Sequence, residues 1–489
     1  MRRTVTSLAL AVLLAVPLAA AAQAKAGKTR TEKDLLGEKQ IPAAAYYGVQ
    51  TARALENFQI SETTLNDYPE LVRALALVKL AAARANAEVG SLPRAKLEPI
   101  EKACLAIMDG KYHDQFPVDM YQGGAGTSTN MNANEVIANV ALEIMGLPKG
   151  RYDKIEPHDD LNMSQSTNDF YPTALKVAIV LYNQKLLPEV EQLVKSFRAK
   201  GVAFADVVKM GRTETQDAVP MTLGQEFEAF AAALEVEAAA LRRAETSLLV
   251  VNMGATAIGT GLNAPKGYAE KCTGHLAKLT GKKIVLAPNL IAATSDLHAF
   301  AEYSSALRGL AAKLVKVSND LQFLSSGPRT GIFEISLPPL QPGSSIMPGK
   351  VNPVAPELMN IVSFKVIGND VAVGLATMSG LLQLNAYEPL AALAVLESQQ
   401  LLTRGISMFR TKCVDGITAN RAVNQEHFER SIGIVTALNP VLGYEKTTEL
   451  AAEAMKTNKG VLELVREKKL LSEEQIKKLM DVKALTGQQ

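Results

Sequence analysis

The sequence predicts a mainly α-helical protein built round a bundle of long helices. Three observations carry that prediction. Alanine and leucine dominate a chain with no tryptophan and only 5% aromatic residues, which suits helices packed through small and straight-chain side chains rather than sheets. The stretch Gln225–Val250 consists almost wholly of strong helix formers. Between Leu297 and Leu324, the residues Leu307, Leu310, Leu314, Val317, Leu321 and Leu324 recur at three- and four-residue steps, laying one apolar stripe along a long helix. A third such segment runs from about Ala355 to Leu384. Several striped helices imply a bundle, and alanine-rich faces allow close contact between subunits.

The chain divides into four parts. Residues 1–24 carry Arg2 and Arg3, an apolar run from Leu8 to Ala22 and the small-x-small pattern Ala22-Gln23-Ala24, the layout of a secretory signal peptide. Export, to a periplasm, is therefore expected. Residues 25–168 mix short helical patterns with breaks such as Gln122–Thr127 and Glu156–Asp160, and read as an N-terminal domain. Residues 169–420 hold the long helices, and residues 421–489 return to short helices and read as a small C-terminal domain. No second uninterrupted apolar stretch long enough to cross a bilayer is expected.

Charge and cysteine content narrow the function. Lys and Arg total 52 against 50 Asp and Glu, and removal of Met1–Ala24 takes away two arginines and no acids, leaving 50 against 50. No basic surplus exists to hold nucleic acid or an acidic membrane. Cys104, Cys272 and Cys413 are an odd number without metal-like spacing, so no disulfide framework is expected. The five histidines, His113, His158, His275, His298 and His427, are scattered, giving a metal site little support.

Four polar segments carry possible chemistry. Gly343–Pro353 reads GSSIMPGKVNP, a loop with two adjacent hydroxyls, a lysine and an asparagine. It suits either a carboxylate cradle or a surface turn. Ser164–Asp169 is a run of hydroxyls and amides leading into an apolar segment, which also suits a helix cap. Gly126–Glu135 suits a helix start, and Gly211–Asp217 precedes Pro220. Gly259-Thr-Gly261 lacks the glycine spacing and preceding strand of a dinucleotide fingerprint.

Together these segments resemble the aspartase/fumarase superfamily, in the superfamily's order, over nearly the whole chain after residue 24. The resemblance rests on the loop from Gly343, GTSTNMNANEVIAN from Gly126, NMSQSTND from Asn162, DAVPMTLGQEF from Asp217 and GITANR from Gly416. Their wording is similar to the aspartate ammonia-lyase branch, with class II fumarase as the near relative. What the resemblance implies is a three-domain fold and a homotetramer with a multi-helix core. Each active site is then assembled from three subunits and acts on a small substrate, L-aspartate or fumarate, without metal or organic cofactor.

By the same resemblance, Ser344 is the general base that takes the Cβ proton. Thr127, Ser166, Thr167 and Ser345 match the binders of the β-carboxylate, where charge develops as an aci-carboxylate. Lys350, Asn352 and Thr213 match the binders of the α-carboxylate, and Asn168 matches a contact with the leaving amino group. One departure stands out. The position after Thr213, often histidine in the family, is Glu214 here, and that histidine's acidic partner maps onto Glu357. If the two carboxyl groups adjoin, they either share a proton or bracket a cation such as the substrate ammonium. This favours aspartate over malate. A class II fumarase, a lyase for N-substituted aspartates and a non-catalytic helical protein are the competing readings.

Overall fold

A computed structural model of the chain describes residues 28–487. The export segment Met1–Ala24 lies outside the described residues. The described part begins with an antiparallel hairpin of β1 (Thr29–Asp34) and β2 (Gly37–Pro42). Then come α1 (Val49–Asn57), α2 (Pro69–Glu88), α3 (Arg94–Met108), α4 (Thr127–Ile144) and the long α5 (Thr167–Ala203). A second antiparallel hairpin, β3 (Val208–Thr213) and β4 (Gln216–Thr222), leads into α6 (Leu223–Leu248). Strands β5 (Val250–Val251) and β6 (Val285–Leu286) pair in parallel across α7 (Tyr268–Thr280), and α8 (Leu290–Ser295) precedes α9 (His298–Leu324). The strand β7 (Ile335–Ser336) is followed by α10 (Val354–Met378) and α11 (Glu388–Lys412), and pairs with β8 (Thr418–Ala419). The short helices α12 (Arg421–Arg430), α13 (Val435–Leu442), α14 (Tyr444–Thr457), α15 (Val461–Glu467), α16 (Glu473–Leu479) and α17 (Val482–Thr486) complete the described chain.

The long helices close on themselves as a bundle: α5 packs on α6, α6 on α9, α9 on α10, α10 on α11, and α11 back on α5. Every residue of the leucine stripe in α9 is buried. The helix α2 lies against α3, α5 and α7, so one apolar core runs from the N-terminal helices into the bundle. The C-terminal helices enclose a second core, to which Met210 of β3 contributes. The protein is thus mainly α-helical, as its composition and periodicity predict.

Helix ends show where local sequence decides. At the start of α6, Thr222 Oγ1 accepts from Gln225 N at 3.1 Å and Gln225 Oε1 accepts from Thr222 N at 2.9 Å, a reciprocal cap that begins the helix two residues before the expected Gln225. The helix expected to run to Leu384 stops at Met378. Asn385 Nδ2 donates to Ala376 O at 2.9 Å, and Gly380 lies so close to Asn385 that an added Cβ would sit 2.7 Å from Nδ2. The chain folds back there on contacts that helix propensity does not register.

The helix α10 is long and apolar enough by length and composition to cross a membrane. Its polar groups argue for a protein environment: Lys365 pairs with Glu397 at 2.9 Å, and Asp370 with Arg308 at 3.1 Å. Asn369 and Ser363 are buried. Away from α9 and α11, however, Ile361, Phe364, Val371 and Leu375 remain exposed, an apolar face unusual for an isolated soluble chain.

Candidate active site

Two helix N-termini lie side by side. Helix α4 starts at Thr127 after Gly126, and α5 starts at Thr167 after Ser166. Gly126 has φ +88°, and an added Cβ would overlap the buried ring of Tyr171. Only glycine permits both the left-handed backbone and this approach of α4 to α5. The unpaired N–H groups and aligned peptide dipoles of helix starts attract anions, so the pair suits a carboxylate.

Side chains complete this end of the site. Ser166 caps α5: its Oγ accepts from Asn168 N at 3.2 Å, while Ser166 N donates to Asp169 Oδ1 at 2.9 Å. Asp169 is fully buried, and its Oδ2 accepts from Gly254 N and Thr256 N, both at 3.0 Å. Burial pushes its carboxyl up to about 6 against the pull of these backbone donors. Pro172 lacks an N–H, which frees the carbonyl of Asn168; Asn252 Nδ2 fills the gap at 3.0 Å. Asn168 Nδ2 donates to Ala257 O at 2.7 Å, leaving its side-chain oxygen available as an acceptor. Thr127 Oγ1 donates to Gly124 O at 2.9 Å.

Beneath the helix starts lies Lys79 of α2, which sequence reasoning missed. It is 1% exposed. Its Nζ donates to Asn130 Oδ1 (2.8 Å), Gln165 Oε1 (2.9 Å), Asn162 Oδ1 (3.2 Å) and Leu161 O (3.4 Å), and lies 3.9 Å from the centroid of the Phe170 ring. Burial holds its pKa well below the usual lysine value, partly opposed by the charge of Asp169. A lone lysine inside the apolar run Leu77-Val78-Lys79-Leu80 was the signal that could have found it.

Thr213 and Glu214 occupy the tip of the β3–β4 hairpin. Glu214 (φ +52°) and Thr215 (φ +65°) are the two central residues of the turn, both left-handed, which matches the twist of the flanking strands at some steric cost. Glu214 is exposed, and its carboxylate has no hydrogen-bond or ion-pair partner among the described residues. The neighbouring Arg212 turns away to the fully buried Glu334 (2.7 Å), which also meets Lys209 at 2.9 Å and His427 at 3.2 Å. Although burial raises the pKa of Glu334, its bonds from Arg212 and Lys209 hold it below the usual glutamate value. This network braces the hairpin against α12, and nothing in the residue spacing announced it.

The third group lies on the loop before α10. Ser344 Oγ accepts from Ile346 N at 3.1 Å and Met347 N at 2.9 Å. The loop is tied at its base by Gly343 N to Lys350 O at 2.7 Å and by Asn352 Nδ2 to Gly343 O at 2.9 Å. Ser345 and Lys350 are exposed, as is Glu357 in the first turn of α10. Among the described residues, no cluster of three or more His, Cys, Asp or Glu side chains is disposed to hold a metal.

One chain therefore brings together Thr127, Ser166, Thr167 and Asn168, and presents Thr213 with Glu214, and Ser344 to Asn352, on two other elements. No hydrogen bond joins one group to another within the chain among the described residues.

Comparison with known proteins adds the following. Residues 37–368 match the protein family described as Lyase, and residues 434–487 match Fumarase C C-terminus. The chain is 56% identical to an aspartate ammonia-lyase of Pseudomonas aeruginosa over 446 residues, 91% of this chain and 94% of that one. It is 50% identical to the aspartate ammonia-lyase of Escherichia coli over 457 residues, 93% of this chain and 96% of that one. Among solved structures, it superposes with a TM-score of 0.91 on a Brucella melitensis protein described as fumarate lyase:delta crystallin, at 50% identity, covering 93% of this chain and 99% of that one. A class II fumarase from Schistosoma mansoni superposes with a TM-score of 0.86 at 34% identity, covering 93% and 98%.

Proposed function

The chain belongs to the aspartase/fumarase superfamily of lyases, and from that premise we propose that it is a carbon–nitrogen lyase converting L-aspartate to fumarate and ammonia. The observation that carries the mechanism is the pair of backbone N–H groups, of Ile346 and Met347, aimed at Ser344 Oγ. A serine hydroxyl is a poor base at neutral pH unless its alkoxide is stabilised. Two fixed donors supply that stabilisation without reorganisation.

The Ser344 alkoxide takes the Cβ proton of aspartate. The electron pair passes into the β-carboxylate to give the doubly charged aci-carboxylate, then returns to form the Cα–Cβ double bond as the Cα–N bond breaks and the ammonium leaves as ammonia. The hydroxyls of Thr127, Ser166, Thr167 and Ser345, with the two helix starts, hold the β-carboxylate where this charge grows. Thr127 exchanges its bond to Gly124 O for one to substrate. Lys350, Asn352 and Thr213 take the α-carboxylate. The Asn168 side-chain oxygen, turned outward by the bond that one amide hydrogen makes to Ala257 O, accepts from the leaving ammonium. Glu214 and Glu357, supplied by different copies, bracket the same cation. The substrate's own carboxylate serves as electron sink, so the reading calls for no cofactor.

The groups meet in a homotetramer, each site drawing on three copies. The exposed apolar face of α10 supports this, since copies packed along it would bury Ile361, Phe364, Val371 and Leu375. The segment Arg2–Ala24 supports an exported, periplasmic enzyme.

The test is a panel of aspartate, malate and N-substituted aspartates with wild type and Ser344→Ala. Aspartate is expected to be the one efficient substrate, and Ser344→Ala to abolish turnover while the oligomer persists. Turnover of malate in preference to aspartate, or an active Ser344→Ala variant, defeats the reading. Glu214→Gln is expected to raise KM for aspartate; unchanged KM and kcat remove Glu214 from the site.

A further inference from the structure

We propose that Lys79 is a positioning residue which, through the amide of Asn130, makes the Thr167 hydroxyl a hydrogen-bond donor toward substrate. The inference rests on the reading of Thr167 as a β-carboxylate binder and adds what orients it.

The argument starts from what each group can do. An ammonium donates and never accepts. Three side-chain amides surround Lys79 Nζ, and all three must turn their oxygens toward it: Asn130 at 2.8 Å, Gln165 at 2.9 Å and Asn162 at 3.2 Å. Their NH2 groups consequently face outward. Gln165 Nε2 donates to Leu161 O and Met163 O, and Asn162 Nδ2 to Gln165 O. Asn130 Nδ2 has two hydrogens and two acceptors at 3.0 Å, Asn162 Oδ1 and Thr167 Oγ1.

The consequence falls on Thr167. Its oxygen already accepts from Asn130, and among the described residues no protein acceptor receives its own proton. A hydroxyl fixed in this way points its hydrogen outward at the start of α5. There it meets an incoming carboxylate as a ready donor. Without the ammonium, only the bond to Asn162 Oδ1 still holds the Asn130 amide this way round; turned over, its oxygen would draw the Thr167 proton inward. Preorganisation of a donor is worth most where charge develops during reaction. Among the described residues no carboxylate hydrogen-bonds to Lys79, although the charge of the nearby Asp169 partly offsets its own.

The substitution Asn130→Asp tests the relay with almost no change of shape. One carboxylate oxygen keeps the bond to Lys79; the other stands where Nδ2 stood and can only accept, so it captures the Thr167 proton. Purified, assembled Asn130→Asp, Thr167→Val and the double variant are compared with wild type in kcat and KM for aspartate. Each single variant is expected to lose about 100-fold in kcat/KM, in the range for removing one oxyanion donor. The double variant should fall within about twofold of Thr167→Val alone, because the same proton is lost once.

A merely structural role for the cluster predicts that the losses multiply, and that result overturns the proposal. So does an Asn130→Asp variant with wild-type kinetics while Thr167→Val is impaired. A fully active Thr167→Val variant overturns both this inference and the assignment of Thr167 on which it rests. Where Asn130→Asp fails to assemble, Lys79→Gln and its double variant with Thr167→Val decide the question by the same comparison. An amide in place of the ammonium no longer dictates which way Asn130 faces.

Discussion

Gly126→Ala should loosen the joint between the starts of α4 and α5, and its cost separates into two parts. Alanine at φ +88° adopts a left-handed backbone, at about 1–2 kcal/mol. Its Cβ also overlaps the Tyr171 ring, which is buried and has nowhere to retreat; overpacking of this kind costs about 1–3 kcal/mol. The sum is about 2–5 kcal/mol. Urea unfolding at fixed protein concentration measures it as a shift in midpoint at constant slope. Tyr171→Ala in the same background separates the parts, because it removes Cγ and every ring atom that the added Cβ meets but leaves the backbone cost. The double variant should therefore be more stable than the two single losses predict, by about 1–3 kcal/mol. Since Gly126 directly precedes Thr127, KM for aspartate should rise as well. A Gly126→Ala variant that unfolds at the wild-type midpoint refutes the packing argument, and strictly additive losses refute the assignment of Tyr171 as the obstacle.

Other variants probe the remaining elements. Leu314→Ala, at the fully buried centre of the α9 stripe, should lose about 2–5 kcal/mol of stability in the same urea assay. Glu334→Gln leaves Lys209 buried with one carboxylate fewer and should cost about 3–5 kcal/mol. The pH dependence has a definite sign. The folded-state pKa of Glu334 lies below the ordinary glutamate value of 4.5, so its contribution is present above that pH and is lost as pH falls through the folded value. Wild type should accordingly lose stability more steeply than Glu334→Gln on acidification below about 4.5, as followed by thermal melting. Ile361→Asp with Phe364→Asp, on the exposed face of α10, should dissociate the oligomer in sedimentation while helical circular dichroism persists; an intact tetramer would remove α10 from the interface.

Much of the fold is legible because its signals are local. The α9 stripe repeats at helical spacing, and each of its residues is buried. The α6 start follows from Thr222 and Gln225, three residues apart. The end of α10 is not legible, because Gly380 meets Asn385 only after the chain has turned. The exposed side of α10 is not legible either, since Lys365 and Asp370 break the apolar run in sequence yet are paired in the structure. Lys79 and Glu334 escape for a related reason. Their partners lie 51 to 86 and 93 to 125 residues away, and a spacing rule cannot connect residues that only the tertiary fold juxtaposes.

The sequence leaves Ser166 and Thr167 open between capping a helix and binding a substrate, and the geometry is compatible with both roles at once. A hydroxyl that caps works as an acceptor: Ser166 Oγ receives Asn168 N. Thr167 Oγ1 likewise receives Asn130 Nδ2. In each case the oxygen is engaged by the protein while the hydroxyl proton remains to be given. The structural bond is therefore what fixes the direction of the functional one, and a substitution that keeps the hydroxyl but moves the helix start should damage binding nearly as much as deleting the hydroxyl. Thr167→Ser, which keeps the donor, should retain most activity, whereas Asp169→Asn disturbs the bonds to Ser166 N, Gly254 N and Thr256 N that seat the α5 start. Although Asp169 is fully buried, its variant should raise KM for aspartate more than Thr167→Ser does; the opposite order would mean that the hydroxyls bind without help from the helix that presents them.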